Sequence, residues 1–157
     1  MSIFKKLAGE KVFGSSKFFQ NGNYIVEVNA VKFIEKGTKG DSFVIETTVR
    51  GTKSDHDAAP QPGEVAAQVW NAGKVMALST WKGFLIGAYE LSPADQEEMD
   101  DASWEALSEE TIEGNALKGT NLVLHVWEKL TKAGNPFTMH KWERVATPED
   151  LADFGLK

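Results

Sequence analysis

The 157-residue chain contains no cysteine. That absence excludes a disulfide framework, a thiolate-held zinc or iron–sulfur centre and a thiol nucleophile, and it accords with a reducing compartment. No run approaches the ~20 apolar residues needed to cross a bilayer. The opening Met1-Ser2-Ile3-Phe4-Lys5-Lys6 has two lysines but no apolar segment after them, so no secretory leader is read. A soluble, cytoplasmic protein with no membrane partner is expected. Phosphate-binding glycine loops, G-x-G-x-x-G, H-E-x-x-H and G-x-S-x-G are all missing. No enzymatic activity and no cofactor are therefore expected.

Positive charge is absent from one long stretch. Between residues 90 and 113 there are ten carboxylates and no Lys or Arg, whereas residues 1–89 carry eleven bases against eight acids and residues 114–148 five against two. The net charge of −6 thus conceals two basic segments around an acidic one. A polyanion responds to the local field, so an acidic total does not exclude nucleic acid as a partner.

The basic segments carry the β patterning. In residues 24–34, Tyr24, Val26 and Val28 alternate with Ile25, Glu27 and Asn29, and the alternation slips at Ala30-Val31, as a bulge would cause. A Lys36–Asp41 turn leads to a second strand with Phe43, Ile45, Thr47 and Val49 on one row, forming a hairpin. A loop containing Asp55-His56-Asp57 follows, then a third strand, residues 64–71, with Val65, Ala67 and Val69 opposite Gln68 and Trp70. From Lys74 the period becomes helical: Leu78, Trp81, Leu85 and Ala88 predict a helix over 75–89, and Ser92-Pro93-Ala94-Asp95 opens an acidic second one. The glycines at 83 and 87 read as close helix–sheet packing.

Strand patterning resumes at 121. Leu122, Leu124 and Val126 face one way and Val123, His125 and Trp127 the other; a turn around Lys132 leads to a last strand, 136–145, with Phe137 and Met139 set against Thr138, His140, Trp142 and Arg144. Three strands, a helical insert and two strands predict a mainly β chain with helices (α+β). The expected form is a five-stranded antiparallel OB-fold barrel with the helices between strands 3 and 4. The length suits one domain. It is placed at 1–148, with the insert at about 74–117 and a short, loose acidic tail at 149–157.

If the apolar rows face the interior, Thr48, Arg50, Gln68, Trp70, His125, Trp127, His140, Trp142 and Arg144 face out. Outward tryptophans suit base stacking, worth ~1–3 kcal/mol per base, with turn lysines following the phosphates. The nucleic-acid-binding set is accordingly Lys36, Lys39, Arg50, Lys53, Trp70, Trp127, Lys132, His140, Trp142 and Arg144, with at least one of the three tryptophans expected in the core. His125 and His140 lie on neighbouring strands, but no third ligand converges, so no metal site is read.

The pattern Gly22-Asn23-Tyr24-Ile25-Val26-Glu27-Val28, then Thr38-Lys39-Gly40 and Pro62-Gly63-Glu64, and later Leu117-Lys118-Gly119, Thr131-Lys132-Ala133-Gly134 and Trp142, resembles bacteriophage single-stranded DNA-binding proteins of OB-fold type. The resemblance implies non-catalytic coating of single strands during phage replication or recombination, in an infected bacterial cell. It also implies an acidic tail that recruits replication or recombination proteins; here Glu149–Phe154 is similar, followed by Gly155-Leu156-Lys157. A homo-oligomer is compatible with this reading. Two alternatives stay open. The acidic 90–113 surface would serve a protein-interaction or inhibitor module that mimics nucleic acid, and Asp55, His56, Asp57 and the two strand histidines would serve a metal-dependent nuclease.

Overall fold

The computed structural model describes residues 17–37 and 40–156, with only the backbone at 36. Within them the strands are β1 (Lys17–Phe18), β2 (Gly22–Gly37), β3 (Gly40–Lys53), β4 (Val65–Asn71), β5 (Asn121–Leu130) and β6 (Pro136–Val145). The helices are α1 (Ala77–Ala88), α2 (Pro93–Glu98), α3 (Asp101–Ile112) and α4 (Pro148–Asp153). The strands form one curled sheet, a half-barrel, in the order β1-β4-β3-β2-β5-β6.

This corrects the expectation of five antiparallel strands. β1 pairs parallel with β4, making the described sheet six-stranded and mixed. The two-residue β1 has no alternation long enough to register as a strand in sequence. The remaining pairs, β2–β3, β3–β4, β2–β5 and β5–β6, are antiparallel. β5 returns after the helices to lie beside β2, which is Greek-key connectivity.

The inner face of the sheet holds the core. Tyr24, Val26, Val28, Phe43, Ile45, Val49, Leu122, Leu124 and Val126 gather there against Trp81, Phe84 and Leu85 of α1. The irregularity anticipated near Ala30 is present as a register shift between Val28 and Ala30, which leaves Asn29 out of the ladder and brings Val31 back to the core. Trp81 stacks on Phe43 (5.1 Å, 19°), and its Nε1–H donates to Ser108 Oγ (2.9 Å), tying α1 to α3. Leu78, which the helical spacing places on the apolar stripe, is exposed.

Gly87 is where α1 meets β6. A Cβ there would lie 1.7 Å from the Trp142 carbonyl oxygen, so only glycine lets the helix approach the strand so closely; Gly83 has open space instead. Between β4 and β6 the sheet is bridged by side chains. Trp142 Nε1–H donates to Gln68 Oε1 (2.7 Å), and Phe19 sets its edge against Trp142.

The acidic stretch forms two short capped helices. Ser92 and Asp95 form a capping box with Pro93 in the first turn of α2, and Asp100 caps α3 through the Ser103 N–H. The tail expected to be loose is also a capped helix. Thr147 and Asp150 form its capping box, and α4 lies on the outer face of the sheet, with Phe154 against Gly51.

Candidate nucleic-acid interface

Cross-strand partners in an antiparallel pair point to the same side, so the β5–β6 register sorts this hairpin into two faces. Val126 pairs with His140 and Leu124 with Trp142, and these face the core. His125 pairs with Lys141, Trp127 with Met139 and Lys129 with Phe137, and these face out. β2 pairs with β5 only as far as Val126. Residues 127–139 therefore form a two-stranded arm, closed at the tip by the Thr131–Asn135 turn.

The outer face of the arm is aromatic and basic. The rings of His125 and Trp127 stack at 5.0 Å and 21°. His125 Nδ1 lies 2.7 Å from Asn23 Oδ1 on β2, a hydrogen bond that fixes the imidazole plane beneath the indole. Phe137 is exposed one step nearer the tip, Met139 lies between, and Lys129 and Lys141 flank them. The neighbouring Glu128 pairs with Thr138 on the opposite face. The six residues thus present four π or thioether faces and two ammonium groups with no carboxylate among them, which suits stacked bases and passing phosphates.

The expected site residues divide among several environments. Trp127 faces out on the arm and Lys132 is exposed in its turn. Lys53 is exposed on β3, its Nζ 4.5 Å above the Phe154 ring. Arg50 is half-buried and donates from Nη1 to Asn121 Oδ1 (3.3 Å). Arg144 faces out but forms a two-point pair with Asp150 of α4, with Nε to Oδ2 at 3.1 Å and Nη2 to Oδ1 at 2.6 Å. That pair holds the Asp150 carboxyl far below the usual carboxylate range. Lys39 and the Lys36 side chain lie outside the described residues.

Trp70, His140 and Trp142 face inward, opposite to the outward row expected of them, and the two tryptophans meet the expectation that at least one of the three tryptophans lies in the core. Trp142 is 5% exposed, hydrogen-bonded to Gln68 and edge-on to Phe84 at 5.2 Å. Trp70 stacks on Phe43 (5.1 Å, 20°) and donates to the Ala77 carbonyl. Burial beside Phe19 pushes the His140 pKa down to about 4. The parity of β4 and β6 is thus opposite to the apolar-row rule. Indole rings fill more of the half-barrel than Val65, Ala67 and Val69 would, and their N–H groups find buried acceptors.

His125, Phe137, Met139, Lys129 and Lys141 were missing from the expected binding set, although the sequence reads His125 as facing out. A signal for them existed in the hairpin geometry: a turn over 131–135 fixes Lys129 opposite Phe137 and Trp127 opposite Met139, so an outward Trp127 carries Phe137 and Met139 out with it. Among the described residues no group of three or more His, Asp or Glu side chains is placed to hold a metal ion, and no helix is long and apolar enough to cross a membrane. No protein-family model matches this chain, and no curated protein matches its sequence.

Proposed function

We propose that this protein binds single-stranded DNA without catalysis, as a strand-coating protein of phage replication or recombination, and that the outer face of the β5–β6 arm is its contact surface. The observation that carries the reading is the stacked His125–Trp127 pair, extended by Met139 and Phe137 and flanked by Lys129 and Lys141. Any base offers a π-face to such a platform, which favours unpaired strands over a duplex whose bases are already stacked. The Greek-key order of the five longer strands supports an OB-type barrel, a fold that uses its strand surface and loops to hold oligonucleotides.

The test is fluorescence anisotropy of labelled oligo-dT against a duplex of equal length, across a salt series. Single-strand affinity exceeds duplex affinity and falls as salt rises, with a slope of about 0.7 per phosphate neutralised. Trp127→Ala removes ~1–3 kcal/mol of binding, the worth of one stacked base. Equal affinity for both forms, or none for either, overturns the proposal.

The second reading keeps a specific support. Among the described residues no carboxylate between 90 and 113 stands in an ion pair. An acidic face that mimics a phosphate chain would capture a basic protein partner, and would retain no DNA in the same assay.

A further inference from the structure

The arm platform ends at β2, where a polar groove begins. Asn21 and Gly22 form one wall, and Lys53, Ser54, Asp55 and His56 the other, around an open volume of about 840 Å³. Gly22 pairs with Val126, the residue before Trp127, so the groove adjoins the platform edge. One step along, Asn23 is paired with Lys53 on β3 and with His125 on β5, and His125 with Lys141 on β6. A single outward row, Lys53–Asn23–His125–Lys141, therefore crosses four strands, a span of ~14 Å at ~4.8 Å per strand. An ammonium group stands at each end of it.

The hydrogen bonds inside the groove identify the donors it leaves without an acceptor, the Lys53 ammonium resting on the Phe154 ring. The Ser54 hydroxyl donates to the Asn21 carbonyl and accepts from the His56 N–H (3.1 Å), so it is spent on shaping the loop. His56 Nδ1 accepts from the Ala58 N–H (3.0 Å), which places the hydrogen of the neutral ring on Nε2. The Lys53 ammonium stands in no ion pair among the described residues. Lys53 Nζ and His56 Nε2 are thus donors without a carboxylate partner beside the stacking platform, and the exposed Asp55 is the one repulsive member of the wall.

We propose that this groove is a phosphate subsite: it holds a phosphodiester of the strand whose neighbouring base stacks on Trp127, with Lys53 and His56 donating and Asp55 weakening the hold. The inference rests on the reading that the arm binds a single strand, and it adds a direction, with the strand crossing the β-strands from Lys141 toward Lys53. The carboxylate gives it a signature that a purely structural loop lacks. Removing the cation and removing the anion shift affinity in opposite senses.

The experiment measures oligo-dT affinity of the full chain by anisotropy at low and high salt for Lys53→Gln, His56→Ala, Asp55→Asn and Trp127→Ala. A second probe is an oligo-dT with uncharged methylphosphonate linkages. At low salt Lys53→Gln and His56→Ala weaken binding by a factor of about two to five, and Asp55→Asn tightens it by a similar factor, the range of partly exposed charge contacts. The Lys53→Gln and Asp55→Asn differences close at high salt, the Lys53→Gln slope is shallower by about 0.7, and neither of these two responses appears with the uncharged probe, whereas the His56→Ala loss, that of a neutral hydrogen bond to a phosphoryl oxygen, persists in both. If Trp127→Ala alone loses affinity while the groove variants bind as the parent does, the subsite is overturned and the platform stands. If the parent chain fails to bind oligo-dT, both fall together.

Discussion

Trp142 and Arg144 stand two apart on one strand yet point to opposite sides of the sheet. The register shift opposite Val123 and Leu124 leaves Glu143 out of the strand ladder, and this bulge turns Arg144 outward to Asp150 while Trp142 stays in the core. Alternation alone carries no sign of such an extra residue, which is why His140, Trp142 and Arg144 read as one row in sequence. The inward placement of His140 has a measurable consequence. Its folded pKa of about 4 lies below the ordinary 6.5, so the unfolded chain takes up the proton first, and the stability held above pH 6.5 is lost as pH falls toward 4. The loss amounts to up to about 3 kcal/mol. Asp150 acts in a lower window: its depressed pKa, set first by Arg144, contributes stability above the ordinary 3.8 that is lost only below it. Urea unfolding at stepped pH separates the two. His140→Phe is expected to flatten the profile between pH 6.5 and 5 and to leave the decline below pH 3.8; an unchanged slope in the upper window would show that His140 is not neutral and buried.

Among the elements, α4 departs furthest from its sequence. Residues 149–157 are short and acidic, and nothing local distinguishes a solvated tail from a docked one. The docking depends on Gly51, a hundred residues away, where a Cβ would lie 2.8 Å from Phe154 Cδ2. Beneath the helix runs the row Gly51–Ile25–Val123–Arg144. Ile25 and Val123 are buried although they lie on the outer face and outside the main core, and α4 is held at both ends of their row, by Phe154 on Gly51 and Asp150 on Arg144. The apolar contact should dominate this anchoring. Phe154→Ala is expected to cost ~1–2 kcal/mol, as a half-buried ring would, whereas Arg144→Gln removes a surface pair worth no more than ~1 kcal/mol. Denaturant midpoints for the two variants check the order, and a larger loss from Arg144→Gln would reverse this account. By contrast β2, β3 and β5 were legible from alternation, because each keeps one row in the main core whatever its outer row carries. The rows of β4 and β6 were not, since choosing between aliphatic and indole faces requires knowing what fills the far side of the half-barrel.

At the scale of the whole molecule, the sheet separates the acidic helix α3 from the stacking platform and its lysines. Trp104, Leu107 and Ile112 of α3 pack against the core on the inner side, so the acidic helices stand on that side, while the stacking platform and its lysines stand on the other. The composition showed that the charges segregate, but only the topology shows which face each occupies. Two of the carboxylates also have structural work that sequence spacing did not separate from the rest: Asp95 completes the capping box of α2, and Asp100 caps α3. Neutralising them would weaken the helices and confuse any test of charge. Glu97, Glu98, Glu105, Glu109 and Glu110 are exposed and cap nothing, so replacing these five with Gln removes five negative charges and leaves the caps in place. With a Debye length of ~8 Å at physiological salt, charges across the thickness of a sheet and its helical layer are largely screened from the platform. Single-strand affinity at that salt is therefore expected to stay within about twofold of the parent, with an unchanged sedimentation coefficient. Tightening well beyond that, closing again in high salt, would mean that the acidic helices reach the strand and compete with its phosphates. A shift in sedimentation would instead assign them to contact with a second copy of the chain.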